Sequence, residues 1–255
     1  MSEMTMSTEA APRAGSLRLV DALLRDRGVV CDRIAAEQEL SALVRTMLLA
    51  VIAGGALFGA AVGSYRGGIQ IAYGAVKFPL VLLLTAAVCA PTLTAVQSAL
   101  GRPASIRRDL ALVTSALALT SLVLAAAAPL MVLGARPAPS STSTDRLIDY
   151  HGMALILFAA GAAAGAAGLA MFWRGLGARR GPGRLAVFLP VLVVFVLVGA
   201  QMAWTLRPYL VRPRSPDVVF VRSLEGSLIE AVGQTLRSAR GDYFREAAPL
   251  PGEDE

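Results

Sequence analysis

The chain has 255 residues, of which 55% are hydrophobic and only 16% charged. A soluble domain carries about 25% charged residues, so a water-soluble globule does not account for this composition. The formal charge is +6, but the bases are almost all arginines set at the ends of apolar runs. That is how a membrane protein anchors itself, and it is no sign of nucleic-acid binding.

Two cysteines are present. Cys31 lies in a polar N-terminal region and Cys89 within a long apolar run, so a disulfide between them is not expected. There is no CxxC pair, no Cys/His cluster and a single histidine, which argues against a dedicated metal site. Residues 1–45 contain no apolar stretch of signal-peptide type, so the first hydrophobic span is expected to do the targeting.

Residues 1–15 are small and polar and read as disordered. From Ser16, Leu17, Leu19, Val20, Leu23 and Leu24 recur at helical spacing, with Arg18, Asp21, Arg25 and Asp26 opposed. Gly28 reads as an interruption. A second amphipathic run follows through Ile34, Leu40, Leu43 and Val44, with Glu37 and Glu39 opposed. These helices either lie on the membrane surface or a partner, or pack beneath the bundle. The acids among them count against docking to anionic lipid.

Residues 46–65 form the first predicted span. Its Gly55, Gly59 and Gly63 recur every four residues, and such a face lets another helix approach closely, within the chain or on a partner. Residues 66–76 read as an interfacial or partly re-entrant segment between Tyr65 and Lys77. The second span is predicted at 78–100. It opens on Lys77, the only lysine, followed by Pro79, and it holds Pro91 at its centre and Gln97 near its end. Pro79 suits the first turn of a helix. Pro91 removes an internal hydrogen bond and crowds the carbonyl of Ala87, so a kink or break is expected there, with Thr92 and Thr94 re-satisfying the backbone. An outward lysine at a helix start opposes the helix dipole and calls for a partner, such as a lipid phosphate or a carbonyl near Arg207.

Residues 110–135 form the third span, with Thr114, Ser115, Thr120 and Ser121 inside it and Pro129 near its far end. A Pro/Ser/Thr-rich loop leads to the fourth span, 151–173, which carries a second small-residue face at Gly161, Gly165 and Gly168. The fifth, 185–206, closes on Gln201, Trp204, Arg207 and Pro208, an interfacial anchor. The tail, 207–255, contains one short amphipathic run from Ser223 to Ser238 and an acidic end. The expected architecture is an all-α, five-span transmembrane helix bundle with amphipathic flanking helices.

Arginine placement gives a direction. The loops after spans two and four hold Arg102, Arg107, Arg108, Arg174, Arg179, Arg180 and Arg184; those after spans one and three hold Arg66, Lys77, Arg136 and Arg146. The positive-inside rule then puts the N-terminus in the cytoplasm.

Recognisable membrane chemistry is missing from the sequence. His151 sits at the mouth of the fourth span with an interfacial role, no HExxH motif exists, and no Walker A or GxGxxG motif opens a helix after a strand. Glu37 and Glu39 read as a solvated face. No catalytic residue, metal or cofactor is expected. The polar groups in the spans are Lys77, Gln97 and Gln201, and no acid is assigned to a span, which argues against a proton-coupled carrier or cation channel.

The segments GSYRGGIQIAYGAVKFPL, CAPTL and VGAQMAWTLRPYL resemble those of an uncharacterised family of bacterial multi-pass proteins. The likeness covers residues 17–235. It implies that Lys77, Pro79, Pro91, Gln201, Trp204, Arg207 and Pro208 are the positions to test, and it implies no activity. Some members carry an actin-binding label of the Wiskott–Aldrich homology type. That motif needs a lysine-rich linker, and this chain has one lysine. The five-span layout is also similar in topology to the Yip-type trafficking family. The expected role is a non-enzymatic accessory or scaffold subunit in a bacterial inner membrane, with a small transporter or channel built on the second span as the alternative. A partner or a second copy would dock through Gly55, Gly59 and Gly63 or through Gly161 and Gly165. The bilayer is the other expected partner, and nucleic acid is not one.

Overall fold

A chain segment in lipid must satisfy its backbone hydrogen bonds internally, and an apolar run does so as a helix. The computed structural model describes residues 15–136, 148–177, 183–206 and 220. All regular elements among them are helices: α1 (Ser16–Arg25), α2 (Arg27–Ala35), α3 (Leu40–Gly63), α4 (Ile69–Ala99), α5 (Ile106–Gly134), α6 (Tyr150–Gly177) and α7 (Arg184–Thr205). The last five are long and apolar enough to cross a membrane, and the chain is a multi-pass membrane protein. The N-terminal residues 1–14, the Pro/Ser/Thr-rich loop, Arg207, Pro208 and the tail run 223–238 lie outside the described residues.

The short helices pack beneath the bundle. Leu19 and Leu23 of α1 and Val30, Cys31 and Ile34 of α2 are buried in the same core as α3, α5 and α6. The break between α1 and α2 falls at Asp26, not at Gly28. The Asp26 carboxylate accepts from the backbone N–H of Gly28 and Val29 and caps α2. The second amphipathic run also divides. α2 ends at Ala35, and Leu40, Leu43 and Val44 are the opening turns of α3. Glu37 and Glu39 form the turn between them in the left-handed region, at φ 56° and 47°, and Glu37 pairs with Arg108 at 3.1 Å.

Successive spans run antiparallel, so α3 and α5 are parallel. α5 is the central helix, and every residue from Ala111 to Ser121 is buried. Its hydroxyls do not need water. Thr114, Ser115 and Thr120 donate to carbonyls of their own helix. Ser121 reaches across to the carbonyl of Ala50 on α3 at 3.1 Å.

The second span differs most from the sequence reading. It is one helix of 31 residues starting at Ile69. The segment 66–76 is therefore a turn followed by the first turns of α4, with no separate re-entrant element. Gly67 and Gly68 supply the turn at φ 86° and 59°, which a residue with a Cβ rarely adopts. Pro79 lies inside the helix and does not start it. The helix also continues through Pro91. Thr92 donates to the carbonyl of Val88 and the Thr94 hydroxyl is given to Asp109, so neither covers the Ala87 carbonyl that Pro91 leaves open. Up to Pro79 the continuity has a cause in α3, which holds the first half of α4 by close backbone contact.

That grip is the work of the glycine ladder. A Cβ on Gly55 would come within 3.0 Å of the Pro79 nitrogen. One on Gly59 would overlap the carbonyl of Gly74, and one on Gly63 the carbonyl of Gln70. The Gly55–Gly59–Gly63 face is thus spent on a neighbour within the chain. Beside it, Phe58 and Phe78 meet edge to face at 5.1 Å.

Candidate functional site

Polar side chains in a span are costly and mark the places to look. The structure gathers them at the two ends of α4. Lys77 and Gln97 are twenty positions apart, or about 30 Å along a helix, so they belong to different clusters.

The first cluster holds α4 to α5. Gln97 Nε2 donates to one carboxylate oxygen of Asp109 at 2.9 Å, and Thr94 Oγ1 donates to the other at 2.7 Å. Asp109 and Gln97 are both buried, as is Arg102 in the connecting loop. The Arg102 backbone N–H donates to the Gln97 carbonyl at 2.9 Å, closing the hairpin. Asp109 sits in the first turn of α5, where a carboxylate complements the helix dipole. No acid was expected in a span, because the apolar run begins at Leu110. The helix itself begins at Ile106 and takes Asp109 inside. A signal was present: an acid immediately before an apolar run, across a short loop from a glutamine in the preceding span.

The second cluster surrounds Lys77. It lies on the third turn of α4 with its side chain fully buried. It is not a helix-start residue at the membrane surface, so the dipole argument for its partner falls. Its Nζ stands 5.0 Å from the centroid of the Phe220 ring, a cation–π distance. Phe220 also meets Tyr73 edge to face at 5.0 Å. Phe220 therefore stands against α4, which no spacing in the sequence announces.

Of the other expected positions, Gln201 is half-buried near the end of α7, where its carbonyl accepts from Thr205 Oγ1 at 2.9 Å. The backbones of His151 and Trp204 lie in the first turn of α6 and the last turn of α7. Arg184, counted in sequence only as an orienting charge, joins α6 to α7. Its guanidinium lies 3.8 Å over the Trp173 ring and donates to the Trp173 carbonyl.

Between α4, α5, α6 and α7 lies an apolar cavity of about 20 Å³, lined by Cys89, Thr120, Gly168, Phe172, Val191 and Phe195. That is room for about one water. Among the described residues, no three His, Cys, Asp or Glu side chains come together to hold a metal ion. The geometry of both clusters is that of clasps between segments.

Comparison of the chain with protein-family models, with curated proteins and with solved structures gave no match.

Proposed function

We propose that the chain is a non-enzymatic accessory or scaffold subunit of a membrane complex, seated in a bacterial cytoplasmic membrane with its N-terminus inside. The observation that carries this reading is the exposed face of α6. Among the described residues, a Cβ placed on Gly161 or Gly165 would meet nothing within 4 Å. Gly55, Gly59 and Gly63 on α3, and Gly168 and Gly175 on α6 itself, are all in contact with a neighbour. Small-residue faces let helices pack closely in lipid, and this one is left over. Leu155 and Phe158 project beside it, 70% and 76% exposed.

The test is copurification from native membranes. The wild-type chain is expected to bring down a discrete membrane partner or a second copy. Gly161→Leu with Gly165→Leu should release it without loss of fold, since both positions have space. Recovery of the same partner from the double variant would defeat the reading. The orientation has its own check. A cysteine in place of Ser141 should react with an impermeant thiol reagent in intact cells, and one in place of Arg179 should not.

A second reading, a small transporter or channel, is favoured by the burial of Lys77 and Asp109 within long apolar helices. Solute flux in proteoliposomes that is lost on Lys77→Ala or Asp109→Asn would support it over the first.

A further inference from the structure

The parallel pair α3 and α5 stay packed toward their C-terminal ends through Phe58, Ala61, Leu124 and Ala128. Beside that contact lies an open crevice of about 670 Å³. Its walls are apolar, formed by Leu57, Ala60, Ala125, Ala128, Val132 and Leu133. Its mouth is different. Arg136, the second residue beyond the end of α5, lines it together with Ser64, the first beyond α3.

We infer that this crevice is a specific site for one anionic phospholipid, with an acyl chain between α3 and α5 and the headgroup phosphate on Arg136. Three features point to that occupant. The crevice belongs to the membrane-crossing stretch of both helices, so what fills it comes from the bilayer. Its volume falls in the range of about 300–1,000 Å³ typical of small-molecule sites. The charge complement is right, because an apolar slot closed at one end by an exposed guanidinium matches an acyl tail ending in a phosphate. Arginine is well suited to that contact, since its planar fork can give two parallel hydrogen bonds to phosphate oxygens. Pro129 stands in the α5 wall. Having no N–H, it leaves the Ala125 carbonyl without its helical donor, and small side chains at Ala125 and Ala128 keep the slot open. This site is independent of the α6 partner surface.

The test uses the full chain reconstituted from an equal mixture of phosphatidylglycerol and phosphatidylcholine, extracted in mild detergent and examined by native mass spectrometry. The wild type should retain one phosphatidylglycerol in preference to phosphatidylcholine. Arg136→Gln should weaken that preference about fivefold, the effect of one basic residue near an anionic surface, and Arg136→Lys should restore most of it. Ala125→Leu, which narrows the slot without touching the charge, should lower retention of both lipids. Circular dichroism and melting of each variant establish that the bundle is intact. Equal retention of the two lipids by the wild type, or an unchanged preference in Arg136→Gln, would overturn the assignment.

Discussion

Asp109 is the residue on which the sequence and the structure part most clearly. Its carboxylate accepts from Gln97 and Thr94 and ties the end of α4 to the start of α5. A hydrogen bond to a charged group is worth about 1.5–3 kcal/mol when buried. Asp109→Ala should therefore lower stability by about that much, read as a drop in melting temperature in detergent. A variant that melts with the wild type would show that the clasp contributes nothing. Gln97 was legible as a polar residue out of place in an apolar run, whereas its partner was hidden by a boundary drawn at the first apolar residue. Lys77 was legible for the same reason as Gln97. Its cover, Phe220, could not be read, because a contact between residues so far apart leaves no periodic trace. Cys31 supplies a pH test outside the spans. Burial pushes its thiol up from the ordinary value, the charge of Asp32 adds to the rise, and Arg174 opposes it. The thiolate is the reactive form. Alkylation of the folded protein at pH 7.5 should thus be slow, should quicken as pH rises toward the raised value, and should become fast on unfolding. Rapid alkylation of the native chain at pH 7.5 would contradict this.

At the scale of elements, α4 owes its length to α3. The sequence shows a lysine, two prolines and a glycine-rich turn between two apolar runs, and the reading that follows is a short segment and then a span. The structure makes one helix of them because the Gly55–Gly59–Gly63 face admits α4 to backbone contact along its first three turns. Close packing of this kind replaces the driving force that lipid does not supply. It also explains why Pro79 is tolerated inside the helix, packed against Gly55. Period-four glycines declare that a close neighbour exists, but they do not name it, and only the fold decides between a neighbouring span and another chain. The two glycine faces should respond oppositely to one added methyl. Gly59→Ala forces a Cβ into the Gly74 carbonyl and should cost about 1–3 kcal/mol as overpacking. Gly161→Ala has open space and should be neutral, or stabilising by up to about 1 kcal/mol through helix propensity. Paired denaturation curves check this, and equal effects at the two sites would break the distinction between a used and an unused face.

For the whole molecule, the sequence carried the class and the number of spans, because both follow from apolar runs longer than the hydrocarbon core of about 30 Å. The order of packing was not carried. α5 is central and α4 bridges α3 and α7, while α6 rests on α5 with one face covered and the other open. A five-helix bundle leaves such a face only where an end helix meets few neighbours. The flanking helices α1 and α2 are buried in the core they share with α3, α5 and α6, and α6 and α7 are the spans least buried inside the bundle. The central claim is that the open α6 face receives a protein. A photoactivatable amino acid at Phe158, irradiated in native membranes, tests it most directly. The account predicts a discrete protein adduct that disappears when Gly161 and Gly165 are both changed to leucine. Adducts to lipid alone, or a protein adduct that persists in that double variant, would contradict it.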